Sequence, residues 1–412
     1  MIAVWQSIGT RYLPFADAAS ADLPLSRLLR LSMFQLSVGM AAVLLTGTLN
    51  RVMIVELGVP TSLVAIVVAI PVLAAPFRAM IGHRSDNYVS VLGWRRVPYI
   101  WLGTLLQFGG LAIMPFALLL MHTQTVGPEW AGAAGALLAF LLTGIGMHMT
   151  QTAGLALATD LAAPDNRPRV VALMYVTLLV GMFVAALAFG LLLSDFSELR
   201  LIQIVQGSAV VTVVLNVISL WKQEPRNPVM TRQDRDRPSF SDAFAAYRRD
   251  PAVKRLLIAV ALGSAAFSMQ DVLLEPYGGE VLGLSVGQTT LLTAQWAAGT
   301  LVGFALAARL LSDGFDTYRL AGAGLVAGLL GFSLVIFAEP LHSANVFRAG
   351  ACVIGFGGGL FAVGTMLAAM DLGEASDNGL AIGAWGAVQA TAIGTSLALG
   401  GFIRDAVNSI VS

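Results

Sequence analysis

The chain has 412 residues, 57% of them hydrophobic and only 12% charged, with a mean hydropathy of +0.79. A soluble globule carries about 25% charged residues, so half the polar coat is missing and a water-soluble enzyme or a nucleic-acid binder is excluded. Lys+Arg and Asp+Glu both number 24, so net charge selects no partner, and the single cysteine, Cys352, excludes an intrachain disulfide.

Residues 1–30 hold acids and prolines without a long apolar core, which is unlike a cleavable leader. They read as a cytoplasmic N-terminal segment. A helix needs about 20 mostly apolar residues to cross the hydrocarbon. Uncharged runs predict spans at Leu31–Asn50, Thr61–Phe77, Val97–Met121, Trp130–Thr159, Val170–Ser194 and Leu201–Trp221. After a polar stretch come Leu256–Gln270, Val281–Ala308, Leu320–Ala338, Ala349–Met370 and Gly379–Ile403. Eleven helices are expected, two of them shortened by Arg78 and Asp271. With the N-terminus in the cytoplasm, 20 of the 24 basic residues fall on the cytoplasmic side, as the positive-inside rule requires.

The domain pattern is therefore an N-terminal six-helix half at 31–221, a linker at 222–252 and a C-terminal half at 253–412 with five visible spans. Pro225, Pro228 and Pro238 with alternating charges make the linker a solvated cytoplasmic tether. The halves repeat each other. Leu57-Gly58-Val59 matches Leu282-Gly283-Leu284, Ser85-Asp86 matches Ser312-Asp313, and Ala158-Thr159-Asp160-Leu161 matches Ala369-Met370-Asp371-Leu372. Duplicated six-helix halves are the architecture of the major facilitator superfamily. The fold class expected is thus an all-α integral membrane protein of that fold, with a twelfth helix missing beyond Ser412; a native eleven-span chain is the alternative.

Several clusters could carry chemistry. The loop Gly82-His83-Arg84-Ser85-Asp86 followed by Leu92-Gly93-Trp94-Arg95-Arg96 can hydrogen-bond exposed helix ends and latch neighbouring helices. Asp86, Arg95, Arg96 and the repeat-related Asp313 are the latch candidates; plain positive-inside anchoring is the alternative. Asp271 and Glu275 share a helix face, flanked by Gln270. Asn50 and Arg51 occupy the matching end of the first helix, so these five could form a gate or line a cavity; a wet outer interface would explain them equally. His148 lies within the fourth span among small residues, with Gln151 on its face. Its imidazole could ligate the magnesium of a chlorophyll, with no other metal site expected, or simply bond a neighbouring helix. There is no P-loop, no paired Asp-rich box and no assembled nucleophile, so no catalytic residue is expected.

Certain strings are too specific to be general membrane grammar. They include Leu49-Asn50-Arg51-Val52-Met53-Ile54-Val55-Glu56-Leu57-Gly58, Ala75-Pro76-Phe77-Arg78-Ala79 and Gly383-Ala384-Trp385-Gly386-Ala387-Val388-Gln389-Ala390-Thr391. Through these, the latch loop and Gln151–Leu161, the chain resembles the PucC/LhaA family of phototrophic purple bacteria. The resemblance implies an assembly factor for light-harvesting antenna complexes that binds or delivers bacteriochlorophyll to antenna polypeptides as they enter the membrane. The neighbours it implies are the antenna α and β polypeptides, bacteriochlorophyll synthase and the reaction centre, besides membrane lipids and a second copy of the chain. The membrane implied is the bacterial inner or intracytoplasmic photosynthetic membrane. The alternative is a proton- or ion-coupled carrier of a small solute.

Overall fold

The computed structural model describes residues 23–411 apart from 54–56, 58, 60, 123–129, 194–196, 228–230, 232–238, 281, 283–285 and 373–377. Among the described residues there are helices and no strands. In chain order the α-helices of ten or more residues are α1 (Leu25–Val43), which runs on through a π-helical turn at Leu44–Thr48, α2 (Thr61–Leu73), α3 (Phe77–Asp86), α4 (Val97–His122), α5 (Trp130–Leu161), α6 (Arg167–Leu192) and α7 (Glu198–Leu220). There follow α8 (Phe240–Arg249), α9 (Pro251–Glu280), α10 (Val286–Ser312), α11 (Thr317–Ala338), α12 (Ala344–Asp371) and α13 (Asn378–Val411). Each of the eleven expected spans contains a helix. Among the described residues, eight helices are long and apolar enough to cross a membrane.

Two local features depart from the pattern of simple spans and a tether. Pro71 sits inside α2 and lacks the N–H that would continue the ladder. The chain then turns at Ala74–Pro76, where Ala74 N–H bonds the Pro71 carbonyl at 3.2 Å and Phe77 N–H bonds Ala74 at 3.1 Å. The helix resumes as α3, which carries the buried Arg78 inside the bundle. The sequence ended the second span at that charge; the structure keeps it, because Arg78 Nε donates to Thr152 Oγ1 at 3.1 Å. The second feature is α8, a ten-residue helix within the stretch read as a tether.

The chain forms two compact units. The first comprises 1–163, 173–240 and 376–383; the second comprises 164–172, 241–375 and 384–412. In the first, α4 and α5 approach through glycine. A methyl at Gly110 would lie 2.7 Å from the Ala139 carbonyl oxygen, and one at Gly146 2.6 Å from Gln107 N. Asn216 on α7 accepts from Ser37 on α1 at 2.8 Å and donates to Thr104 on α4 at 2.9 Å, a polar clasp in an apolar setting. Leu45, Met53, Leu111, Phe140 and Val205 belong to an apolar cluster of this unit.

In the second unit α12 packs against both α10 and α11 and is more deeply buried than α9 or α11. Gly324 and Gly357 let α11 and α12 cross with backbone in contact, since a methyl at Gly324 would stand 2.6 Å from the Gly357 carbonyl oxygen. Small residues at such crossings are how membrane helices gain packing without a hydrophobic drive.

Candidate functional site: a buried charge latch

At the end of the first unit where α3, α5 and α7 finish and α4 begins, the chain carries Arg84, Arg95, Arg96, Lys222 and Arg226, and a network of charges is buried there. Arg96 precedes α4 and is completely buried. Its Nη1 donates to Ser85 Oγ at 2.7 Å and its Nε to Asp160 Oδ2 at 3.1 Å, while Nη2 pairs with Asp86. Arg95 Nη2 reaches the same Asp160 oxygen at 2.9 Å. Burial alone would lower the pKa of Arg96, but Asp160 and then Asp86 outweigh it and push the guanidinium above its ordinary value. Arg96 is held charged.

Asp86 has a second task. Its two oxygens accept the backbone N–H groups of Gly379 at 3.2 Å and Leu380 at 2.9 Å. These are the first residues of α13, whose opening stretch belongs to the first unit. A carboxylate on the unpaired N–H groups at a helix start is favoured by the helix dipole. The approach is allowed because Gly82 and Gly379 have no side chains. A methyl at Gly379 would lie 2.5 Å from Arg96 Nη1 and 2.8 Å from Asp86 Oδ1.

The opening of α4 is closed in the same way. Glu224, just past α7, accepts the N–H groups of Arg95 at 2.8 Å, Arg96 at 3.1 Å and Val97 at 2.8 Å. Its backbone carbonyl takes Trp94 Nε1–H at 3.2 Å. Asn227 N–H bonds Gly93, and Ser90 N–H bonds Thr231. Thus the first residues of the supposed tether are fastened to the α3–α4 loop.

Of the latch candidates, Asp86, Arg95 and Arg96 come together. Asp313 does not join them: it lies exposed in the second unit, with no side-chain ion pair among the described residues. Sequence reasoning missed Glu224, read as linker, and gave Asp160 only a place in the repeat. The repeat match at Asp160 was a usable signal; nothing near Glu224 marked its role.

His148 is buried on α5, and its Nε2 lies 3.1 Å from the Pro71 carbonyl oxygen, which the break after α2 leaves accessible. With that nitrogen donating, Nδ1 carries the lone pair, and among the described residues it has no hydrogen-bond partner. The small neighbours do not open a slot: a methyl at Gly144 would meet Pro71 at 2.7 Å, as Gly146 meets α4. Gln151 stands half-buried one turn on. Of the gate candidates, Asn50 is half-buried in the first unit and Gln270 buried in the second. The side chains of Arg51, Asp271 and Glu275 lie outside the described residues.

Solved structures similar to this chain in fold include transporters. A bacterial homologue of the iron transporter ferroportin, in an outward-facing state, superposes with a TM-score of 0.72 at 15% identity, covering 93% of each chain. The major facilitator superfamily proton:xylose symporter XylE gives 0.65 at 15% identity, over 92% of this chain and 89% of its own. At that identity the likeness establishes the fold alone: an all-α membrane protein with the fold seen in major facilitator superfamily transporters. Sequence relatives say more. Protein PucC of Rhodovulum sulfidophilum is 57% identical over 97% of this chain and 90% of its own length. Protein PucC of Cereibacter sphaeroides is 52% identical over 98% and 88%. The bacteriochlorophyll synthase 44.5 kDa chain of Rhodobacter capsulatus is 30% identical over 89% and 85%. The family model described as PUCC protein matches residues 48–412, and with relatives this similar over nearly the whole length, the chain belongs to the PucC protein family.

Proposed function

We propose that this protein is a non-catalytic assembly factor for photosynthetic light-harvesting complexes, which binds bacteriochlorophyll and hands it to antenna α and β polypeptides as they insert. The observation that carries the reading is its near full-length identity to PucC proteins, joined by 30% identity to a chain named for bacteriochlorophyll synthesis. It would work in the inner or intracytoplasmic photosynthetic membrane with its N-terminus in the cytoplasm, beside bacteriochlorophyll synthase and the reaction centre. Pigment is cargo in this scheme. The free lone pair on His148 Nδ1 is the right donor for magnesium, with Gln151 beside it, but cargo would reach it only if α5 parted from Pro71 and α4. The latch supplies a reason for such states to be discrete, since buried ion pairs exchange between arrangements rather than stretch.

The test is an absorption spectrum of detergent-purified protein from a pigment-making phototroph. A bacteriochlorophyll band eluting with the protein is expected. Colourless protein that instead gives saturable, proton-dependent solute flux in liposomes would overturn the reading in favour of a coupled carrier, which the symporter-like fold also accommodates. His148→Leu separates ligand from packing residue. As the ligand, it should lower pigment per folded molecule severalfold; unchanged pigment in well-expressed variant would remove His148 from the scheme.

A further inference from the structure

Three of the seven tryptophans converge on one groove of the first unit. Trp94 lies before α4, Trp101 in its opening turns, and Trp221 just past α7, and together they line a cavity of about 450 Å³. Trp101 and Trp221 are 40% and 61% exposed. Among the described residues, their indole N–H groups have no acceptor. Tryptophan belongs at the level of lipid headgroups, and this end of the unit is the basic one.

Two cations share the groove, Lys222 and Arg226. The Arg226 guanidinium carbon stands 5.3 Å from the centroid of the Trp94 ring, which fixes it over the aromatic wall. Neither cation has an ion pair among the described residues. The one acid lining the groove, Glu224, spends its carboxylate on the N–H groups that open α4. Among the described residues the groove therefore presents two positive charges without an ion pair.

Its shape is held by the backbone. Lys222 has φ +54°, the left-handed conformation in which glycine is the usual residue after a helix end. A lysine there is disfavoured by the backbone, yet it sets the ammonium at the rim. Gln223 behind it is clamped by Arg27, whose Nε donates to Gln223 Oε1 at 3.2 Å while Gln223 Nε2 donates to the Arg27 carbonyl at 3.2 Å. The turn is thus fastened to α1 and the groove is preformed.

We infer that this groove is a binding site for one anionic phospholipid of the surrounding leaflet, its phosphodiester between Lys222 and Arg226 and an acyl chain against Trp101 and Trp221. Charge chooses the occupant. A zwitterionic headgroup would bring its own cation beside Lys222 and Arg226, whereas the net negative charge of an anionic one matches them, and Glu224 is committed elsewhere. The free indole N–H groups suit the glycerol and ester oxygens of phosphatidylglycerol.

The experiment uses the full chain in detergent, titrated with phosphatidylglycerol, phosphatidylcholine or inorganic phosphate, and reads lipid retention by native mass spectrometry beside thermal unfolding. Phosphatidylglycerol should be retained and should raise the melting temperature, while phosphatidylcholine and phosphate should not. Each cation near a membrane surface is expected to contribute about fivefold in affinity, so Lys222→Gly with Arg226→Gln should weaken retention by about 25-fold. Lys222→Gly suits the left-handed backbone and should fold at least as well as the parent, so its own roughly fivefold loss is free of unfolding artefacts. Lys222→Arg should retain the lipid. Equal retention of the two lipids, equal retention by Lys222→Gly, or protection by inorganic phosphate alone would each overturn the proposal.

Discussion

The loop that follows the second span and its repeat counterpart begin with the same dipeptide and end in opposite environments. Asp86 of Ser85-Asp86 is 2% exposed and engaged on both oxygens. Asp313 of Ser312-Asp313 is exposed. The difference follows from what comes next in the chain. After Asp86, ten residues (87–96) precede α4 and end in Arg95-Arg96, long enough to fold the guanidinium groups back under Asp86 and Asp160. After Asp313 the chain turns at once, with Gly314 at φ +86°, and α11 begins at Thr317. No arginine pair returns. Asp371, the repeat mate of Asp160, lies in reach of the charge on Arg167 instead. A duplicated fold thus keeps one latch and lets the other lapse.

The comparison breaks most sharply at Arg96. Arg96→Leu leaves the buried Asp86 without its cation while Asp160 keeps Arg95, and removing one partner of a buried pair costs about 3–5 kcal/mol. Asp313→Asn, at the exposed counterpart, should fall within about 0.5 kcal/mol of the parent. Thermal unfolding in detergent, followed by the monodisperse fraction, should rank the two variants widely apart. Similar melting temperatures would mean that the network contributes nothing to holding the first unit together.

Glycine gives the next contrast. Gly379→Ala drives a methyl between Arg96 and Asp86, an overpacking expected to cost about 1–3 kcal/mol. Gly322 on α11 has open space where a methyl would go, so Gly322→Ala should be neutral or stabilise by up to about 1 kcal/mol through helix propensity. The same assay checks both, and opposite signs are the expected outcome.

These contrasts mark what the sequence could and could not disclose. Runs of apolar residues exposed the helices, because crossing a membrane is a local demand on about 20 consecutive positions. Asp86, Arg95 and Arg96 were legible since charges crowded into a short loop between spans need partners. Glu224 was not, because its partners are backbone N–H groups 127–129 residues away, and a backbone donor leaves no mark on composition. The Trp94–Trp101–Trp221 groove was hidden for the same reason of distance. At His148 the small neighbours suggested space for a flat ring, whereas they serve helix contact with Pro71 and α4. Glycine signals closeness; whether backbone or ligand comes close is decided by the partner helix.

The smallest effects concern the openings of the counterpart helices α4 and α11, which are capped by different routes. Asp316 caps α11 from within its own segment, accepting Arg319 N–H at 2.8 Å. Removing such a local cap typically costs about 1 kcal/mol, and Asp316→Ala should behave so. Glu224 caps α4 from beyond α7 with both oxygens on three successive N–H groups, bonds strengthened by its charge. It also carries the chain that pins the loop at Trp94 and Gly93. Glu224→Ala should therefore cost more, about 2 kcal/mol, and should loosen the loop rather than the helix alone. Hydrogen exchange distinguishes the two: in Asp316→Ala the loss of protection should stay within the first turn of α11. In Glu224→Ala it should spread over residues 90–97 and into Asn227. If protection there stays at the parental level, the fastening of the 223–231 stretch to the loop rests on the backbone bonds alone, and the charge of Glu224 is dispensable.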